Sequence, residues 1–299
     1  MLKNWLKAFR LRTLPLSFSC ILVGNFLAYG NNFRWSILWL SLATTLFLQI
    51  LSNLANDLGD AQKGTDNHER VGPARAIQSG KISMAKMKKA VVIFSILSFF
   101  SGSLLLFTAF GTEAAVQLLI FFLLGFGAIG AAIFYTVGKK PYGYRALGDV
   151  FVLIFFGWVG VLGSYYLQAQ TFFTLLVFPA TSIGLLAVGV LNMNNIRDFS
   201  SDKNAGKVTL PIVLGLQAAK RYHIVVLVNS LVLFGIFLFL EYPKPYLAVL
   251  LIFLVLIPNI KKLLSYTDSA ELDPELKRIA LTTFAIALTF SVFSILFKH

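Results

Sequence analysis

The chain has little of what a soluble protein needs. Only 13% of its residues are charged, about half the share of an ordinary water-soluble domain. It has 13 acidic residues against 26 basic ones and only three histidines. Its one cysteine, Cys20, excludes an intrachain disulfide and a disulfide-stapled secreted fold. The scarcity of charge excludes a disordered chain and a soluble two-domain enzyme. What replaces it is apolar: 57% of the 299 residues, 29 of them Phe, with a mean hydropathy of +0.77. The net charge of +13 would suggest nucleic acid in a soluble protein. In a chain this apolar it reads as a determinant of membrane topology, with no nucleic-acid partner.

A spanning helix needs about 20 mostly apolar residues. Nine segments qualify, at 13–31, 35–56, 90–110, 114–137, 147–167, 172–193, 222–240, 245–260 and 279–297. The eighth is short and ends at Pro258. The first has a basic flank, yet no small-residue cleavage site follows it, so it is expected to be retained rather than removed as a signal peptide. The expected fold class is all-α: a multi-pass bundle of nine transmembrane helices, one domain over 1–299, with polar loops at about 53–83 and 194–216.

Of the 26 Lys and Arg residues, 23 lie on the N-terminus and alternate connections; Arg34, Lys244 and Lys298 lie on the others. That bias places the N-terminus and both polar loops in the cytoplasm and His299 outside. Acidic residues obey no such rule, yet 11 of 13 share the basic side, Glu113 and Glu241 excepted. The groups able to bind cations therefore gather at one membrane face.

Two segments there carry the chemistry. The second span runs into Asn53-Leu-Ala-Asn56-Asp57-Leu-Gly-Asp60, followed by Lys63 and Asp66. The sixth runs into Asn194, Arg197, Asp198, Asp202 and Lys203. Asn194, Asp198 and Asp202 are spaced i, i+4, i+8, which on a helix is one face. Asn56 and Asp60 repeat the first step four helices earlier, a weak internal repeat of spans 2–5 against 6–9. Asp and Asn also cap helices, but crowded carboxylates beside hydrocarbon need a compensating charge. Oxygen donors without His or Cys favour Mg²⁺, which binds one or two carboxylates together with substrate phosphates. Interleaved basic residues, among them Lys63, Lys139, Arg197, Lys203 and Lys207, suit a diphosphate. Lys86, Lys88, Lys89, Lys261 and Lys262 read as anchors at the lipid headgroups.

These segments resemble the two Asp-rich motifs of the UbiA superfamily of intramembrane prenyltransferases. Arg12-Thr-Leu-Pro15, Lys63-Gly-Thr-Asp66, Arg70-Val-Gly-Pro-Ala-Arg75, Tyr144-Arg-Ala-Leu-Gly-Asp149 and Gly206-Lys-Val-Thr-Leu-Pro211 are similar to the branch that prenylates 1,4-dihydroxy-2-naphthoate. The second motif matches in full. In the first, Asn56 and Asp60 match, position 64 is Gly, and the next acid is Asp66. The resemblance implies metal ligation by Asn56, Asp60, Asp66, Asn194, Asp198 and Asp202, with Mg²⁺ as cofactor. It implies that Tyr135 and Lys139, a Tyr-x3-Lys element, hold the diphosphate or its leaving oxygen, joined by Lys63, Arg197 and Lys203. Arg75 and Arg70 are expected at the acceptor, since an Arg fork suits a planar carboxylate. The implied partners are a polyprenyl diphosphate, an aromatic acceptor and the lipid bilayer of a bacterial inner membrane. The implied reaction is polyprenyl transfer to the naphthoate with loss of CO₂, giving demethylmenaquinol. Two alternatives stand beside it: another acceptor such as 4-hydroxybenzoate, or a transporter of an anionic solute.

Overall fold

The computed structural model describes residues 2–65, 71–73 and 75–297. The regular structure of those residues is helical, without a strand: α1 (Leu2–Phe9), α2 (Leu14–Leu27), α3 (Trp35–Lys63), α4 (Met84–Phe110), α5 (Ala115–Phe134), α6 (Gly148–Ala169), α7 (Thr174–Arg197), α8 (Phe199–Asn204), α9 (Leu210–Leu214), α10 (Leu216–Glu241), α11 (Lys244–Ser265) and α12 (Ser269–Leu296). Eight of these, α3–α7 and α10–α12, are long and apolar enough to cross a bilayer. The ninth expected span is α2. It is shorter, at 14 residues, because Pro15 starts it late and the chain leaves it at Ala28. The protein is a multi-pass integral membrane protein.

Two buried apolar clusters organise the bundle. One joins α2, α7, α10, α11 and α12 through Val23, Ile183, Phe234, Phe253 and Phe290. The other joins α1, α3 and α4 through Ala8, Leu51, Leu54, Met87 and Val91. In lipid, apolar area gives little net attraction between helices, so close approach at small residues carries the packing. The middle of α6, Leu153–Leu162, winds as a π-helix. It sets Gly157 against Gly184 of α7, where a β-carbon on Gly157 would lie 2.7 Å from the Ala180 carbonyl oxygen. It also sets Gly160 against Cys20 of α2.

The two ends of the bundle differ. At one, Arg34 donates to the carbonyl oxygens of Thr108 (3.2 Å), Ala109 and Leu167 (both 3.1 Å), tying off carbonyls at the ends of α4 and α6. At the other end lie both Asp-rich segments. α3 stops at Gly64, whose left-handed conformation (φ 71°) only glycine adopts freely. That accounts for Gly where the family motif carries its third acid: the chain leaves the helix one turn after Asp60.

α7 also stops short of the straight face expected from the spacing. It ends at Arg197, and Asp198 (φ −91°, ψ 11°) is the joint to α8. The register survives the joint. Asp198 N donates to Asn194 O at 3.0 Å and Asp202 N to Asp198 O at 2.8 Å, so the three side chains keep their i, i+4, i+8 relation.

Candidate active site

A cavity of about 730 Å³ runs through the bundle between the two clusters. On α3 it is lined by Ser41, Thr44, Thr45, Leu48, Gln49, Ser52, Asn53, Asn56 and Asp60, one helix face some 28 Å long at about 1.5 Å per residue. Asn56, Asp60, Asn194, Arg197, Arg75 and Lys207 line its polar end; Phe99, Phe121, Phe122, Phe126 and Phe155 are among its apolar walls.

The acids at the polar end are paired with cations, and Arg75 and Arg197 each serve two of them. Arg197 binds both oxygens of Asp198, Nε to Oδ1 at 2.8 Å and Nη2 to Oδ2 at 2.7 Å. It also donates to Asn194 Oδ1 at 2.9 Å and to Asp273 at 2.6 Å. Lys207 Nζ lies 3.4 Å from Asp202 Oδ1. Arg75 Nη2 lies 3.6 Å from Asp60 Oδ2. Asp57, one residue round the helix from Asn56, is only 1% exposed and faces Arg10 and Arg75 (2.7 Å) instead. It anchors the loop rather than facing the cavity.

The two motifs converge electrostatically. Burial works against the Lys207 ammonium, but Asp202, Asp60 and Asp198 together hold its pKa above the ordinary value. Burial pushes Asp202 up to about 6, opposed by Lys207 and reinforced by Asp198 and Asp60. Tyr144 bridges the motifs physically. Its hydroxyl donates to Asp60 Oδ1 at 2.8 Å and lies 2.5 Å from Thr65 Oγ1, while Lys63 and Lys207 sit over its ring at 5.5 and 5.6 Å. Ala146, held at a left-handed φ of 56°, donates to Val208 O at 2.9 Å and ties the two loops together. Thr136 donates to Ala55 O at 3.0 Å and approaches Asn56 Oδ1 at 3.4 Å, fixing Asn56.

Of the residues expected at the site, Asn56, Asp60, Asn194, Arg197, Arg75 and Tyr135 line the cavity. Asp198 and Asp202 are buried and do not line it themselves, but pair with Arg197 and Lys207, which do. Lys139 and Lys203 are exposed and do not line it; Lys63 is exposed and turned toward Tyr144. Asp66 and Arg70 lie outside the described residues. The spacing did not single out Arg10 and Tyr144 as site residues, although Tyr144 stands inside a motif that carries the resemblance; Lys207, one of the interleaved basic residues, lines the cavity. Burial raises the Tyr135 phenol above its usual pKa, with Asp149, Asp60 and Asp202 adding to it, so Tyr135 is a hydrogen-bond donor at any physiological pH.

The donor set fits a hard cation. It offers carboxylate and amide oxygens only, and Asp202 Oδ2 is buried without a hydrogen-bond partner, an arrangement a cation would satisfy. Among the described residues no three His, Cys, Asp or Glu side chains already converge on one point. Arg75, Arg197 and Lys207 stand between the carboxylates.

The comparisons with known proteins point to one family. The 1,4-dihydroxy-2-naphthoate octaprenyltransferase of Escherichia coli (strain K12) is 49% identical over 234 residues, 78% of this chain and 75% of that one. An apo UbiA homolog from Aeropyrum pernix K1 shares the fold with a TM-score of 0.73 at 17% identity, covering 96% of this chain and 99% of that one. A UbiA homolog from Archaeoglobus fulgidus, bound to GPP and Mg²⁺, superimposes with a TM-score of 0.65 at 15% identity over 97% and 99% of the two chains. The UbiA prenyltransferase family itself matches residues 17–281, and with two Asp-rich helix ends opening on one apolar cavity the chain belongs to that family.

Proposed function

We propose that this protein transfers a polyprenyl chain from its diphosphate to 1,4-dihydroxy-2-naphthoate, with loss of CO₂, to give demethylmenaquinol. The observation that carries it is the cavity itself: a cation-rich, oxygen-lined end continuous with a long apolar passage, in a chain 49% identical over 234 residues to a naphthoate octaprenyltransferase.

Asn56, Asp60, Asn194, Asp198 and Asp202 are the residues to hold Mg²⁺, with Asp66 a further candidate. Bound there, Mg²⁺ would supply positive charge against the diphosphate as its leaving oxygen gains charge. The chain's own residues do the rest. Arg197 and Lys207 move from carboxylate to phosphate oxygens, and Tyr135 donates to the same group. Lys63, Lys139 and Lys203 receive the diphosphate from the aqueous side. The apolar walls keep water from the allylic cation left when the C–O bond breaks. The naphthoate ring attacks C1 of that cation at the carbon bearing its carboxyl. The new C–C bond forms, the carboxyl leaves as CO₂, and the ring regains aromaticity without a further proton transfer. Arg75, which lines the cavity, orients the acceptor's carboxylate, with Arg70 the second acceptor candidate. The site faces the cytoplasm and the C-terminus lies outside, as the charge bias implies, and residues 1–299 act as one domain.

Purified protein incubated with a polyprenyl diphosphate, Mg²⁺ and the naphthoate should give a product with the mass of the decarboxylated adduct. Product with 4-hydroxybenzoate but not with the naphthoate would overturn the acceptor assignment.

A further inference from the structure

Residues 1–56 contain no Asp or Glu, and neither do residues 71–112. The fold brings parts of these two stretches together. α1 lies against the first turns of α4: Ala8, Met87, Ala90 and Val91 share one buried cluster, and Phe9 meets Phe94 edge-on at 5.3 Å. The surface they form carries Lys3 and Lys7 on α1, Lys81 in the loop just before α4, and Lys86, Lys88 and Lys89 in its first turns, all exposed. Beside the lysines, Leu2, Leu6 and Met84 are exposed as well. Cations interleaved with apolar side chains on a short helix at the end of a membrane bundle fit a helix lying in the headgroup layer. A surface of six lysines without a carboxylate in either stretch complements negatively charged headgroups.

This surface is wired to the active site. Arg10, one residue past α1, has a left-handed backbone (φ 49°, ψ 53°), uncommon for a residue with a β-carbon. Its carbonyl accepts from Thr13 N at 2.9 Å and Thr13 Oγ1 at 3.0 Å, and its guanidinium binds Asp57. Asp57 also takes Arg75, which reaches Asp60. Moving α1 away from α4 withdraws Arg10, leaves Asp57 to Arg75 alone, and shifts the cation that faces Asp60.

We propose that α1 and the first turns of α4 form a docking surface for anionic phospholipid headgroups, and that a docked headgroup layer holds Arg10 on Asp57 and so sets the geometry at Asp60. The proposal rests on the prenyltransferase reading for its activity measurement only.

The test uses the full chain in phosphatidylcholine vesicles with or without phosphatidylglycerol, at saturating Mg²⁺. Phosphatidylglycerol should raise kcat/KM for the prenyl diphosphate by at least about fivefold, the low end of coupling between two linked sites. A variant with Lys3→Gln, Lys7→Gln, Lys86→Gln, Lys88→Gln and Lys89→Gln should keep the phosphatidylcholine value and lose the increase. Glycerol phosphate in the buffer should not replace the lipid. A second measurement needs no turnover. Cys20 is the only cysteine and is buried, so Leu6→Cys can be labelled selectively with a polarity-sensitive dye. Its emission should respond to phosphatidylglycerol, and should cease to respond once the five lysines are replaced. The proposal is overturned if the lipid effect survives in the five-fold variant, if glycerol phosphate reproduces it, or if the dye ignores phosphatidylglycerol. A dye response without transfer to the naphthoate would support the docking surface while removing the acceptor assignment.

Discussion

Arg197 and Asp198, neighbours in sequence, form a two-pronged ion pair at 2.8 and 2.7 Å in which both side chains are almost wholly buried. Consecutive residues on a helix point about 100° apart and do not meet. They meet here because α7 ends between them: Asp198 leaves the helical conformation and its carboxylate turns back onto the guanidinium. The pair neutralises a buried carboxylate beside the cavity. Removing one member strands the other charge. Arg197→Met should therefore lower the melting temperature in detergent more than Asp198→Asn does. The double variant should recover much of the loss, with a coupling of about 1–3 kcal/mol, and should remain inactive. Additive effects in that cycle would show that the pair contributes nothing as a pair.

Asp202 gives a pH dependence. Its carboxyl titrates at about 6 without metal, pushed there by burial and held down by Lys207. A cation and a proton compete for the same oxygens, so each pH unit below 6 should cost about tenfold in Mg²⁺ affinity, and above 7 the affinity should level off. Lys207→Met removes the charge that lowers the Asp202 pKa and should shift the midpoint upward. Without metal the stability trend is opposite. The folded pKa lies above the unfolded one, so Asp202 favours the folded state at low pH and that contribution fades as pH rises through 6. Calorimetric Mg²⁺ titrations from pH 5 to 8 would check the first trend; affinity independent of pH would remove Asp202 from the ligands.

How far the sequence foretold this depends on whether a partner lies on the same helix. Apolar run length found the spans, since nothing else buries so many Phe and Leu residues. A spacing of four found Asn56 with Asp60, and Asn194 with Asp198 and Asp202, because helix geometry alone puts those on one face. Asp57 looks as much like a ligand as Asp60 does, yet one step along the helix turns it toward Arg10, 47 positions away in the chain. No periodicity encodes that. Lys139 and Lys203 show the same limit from the other side: motif spacing names them, but it does not encode that their side chains are exposed and do not line the cavity. The shared winding of α3 and α7 was legible, and so were Arg75 and Lys207 as cations near the acids; which carboxylate each one pairs with, and Arg10 drawn in from beyond α1, were not.

The crossing of α6 and α7 yields a stability prediction. A β-carbon at Gly157 would approach the Ala180 carbonyl oxygen at 2.7 Å, whereas at Gly130 the nearest neighbour is a Phe134 ring carbon at 3.8 Å. Gly157→Val must therefore push two backbones apart, at a cost of about 1–3 kcal/mol. Gly130→Val should cost little. Thermal unfolding of the two variants in detergent separates them; equal melting temperatures would mean that the crossing is loose.

Arg75 divides the functional assignments most sharply. Its guanidinium lies 2.7 Å from Asp57 and 3.6 Å from Asp60 and also lines the cavity. It can therefore act as anchor, diphosphate ligand or acceptor ligand, and the three roles move different constants. Losing a buried charged contact costs about 2–5 kcal/mol, with each 1.4 kcal/mol worth tenfold, so Arg75→Ala should lower kcat/KM by about two decades. If Arg75 orients the acceptor's carboxylate, KM for the naphthoate rises while KM for the prenyl diphosphate holds. Arg75→Lys then recovers little, because an ammonium cannot bind two oxygens in one plane. Asp57→Asn supplies the control. It weakens only the anchor, so it should lower kcat without changing the Mg²⁺ requirement, whereas Asp60→Asn should raise that requirement at least tenfold. A rise in the diphosphate KM alone in Arg75→Ala would move Arg75 from the acceptor to the leaving group, and near-normal constants for both substrates would leave it only the anchoring role it holds against Asp57.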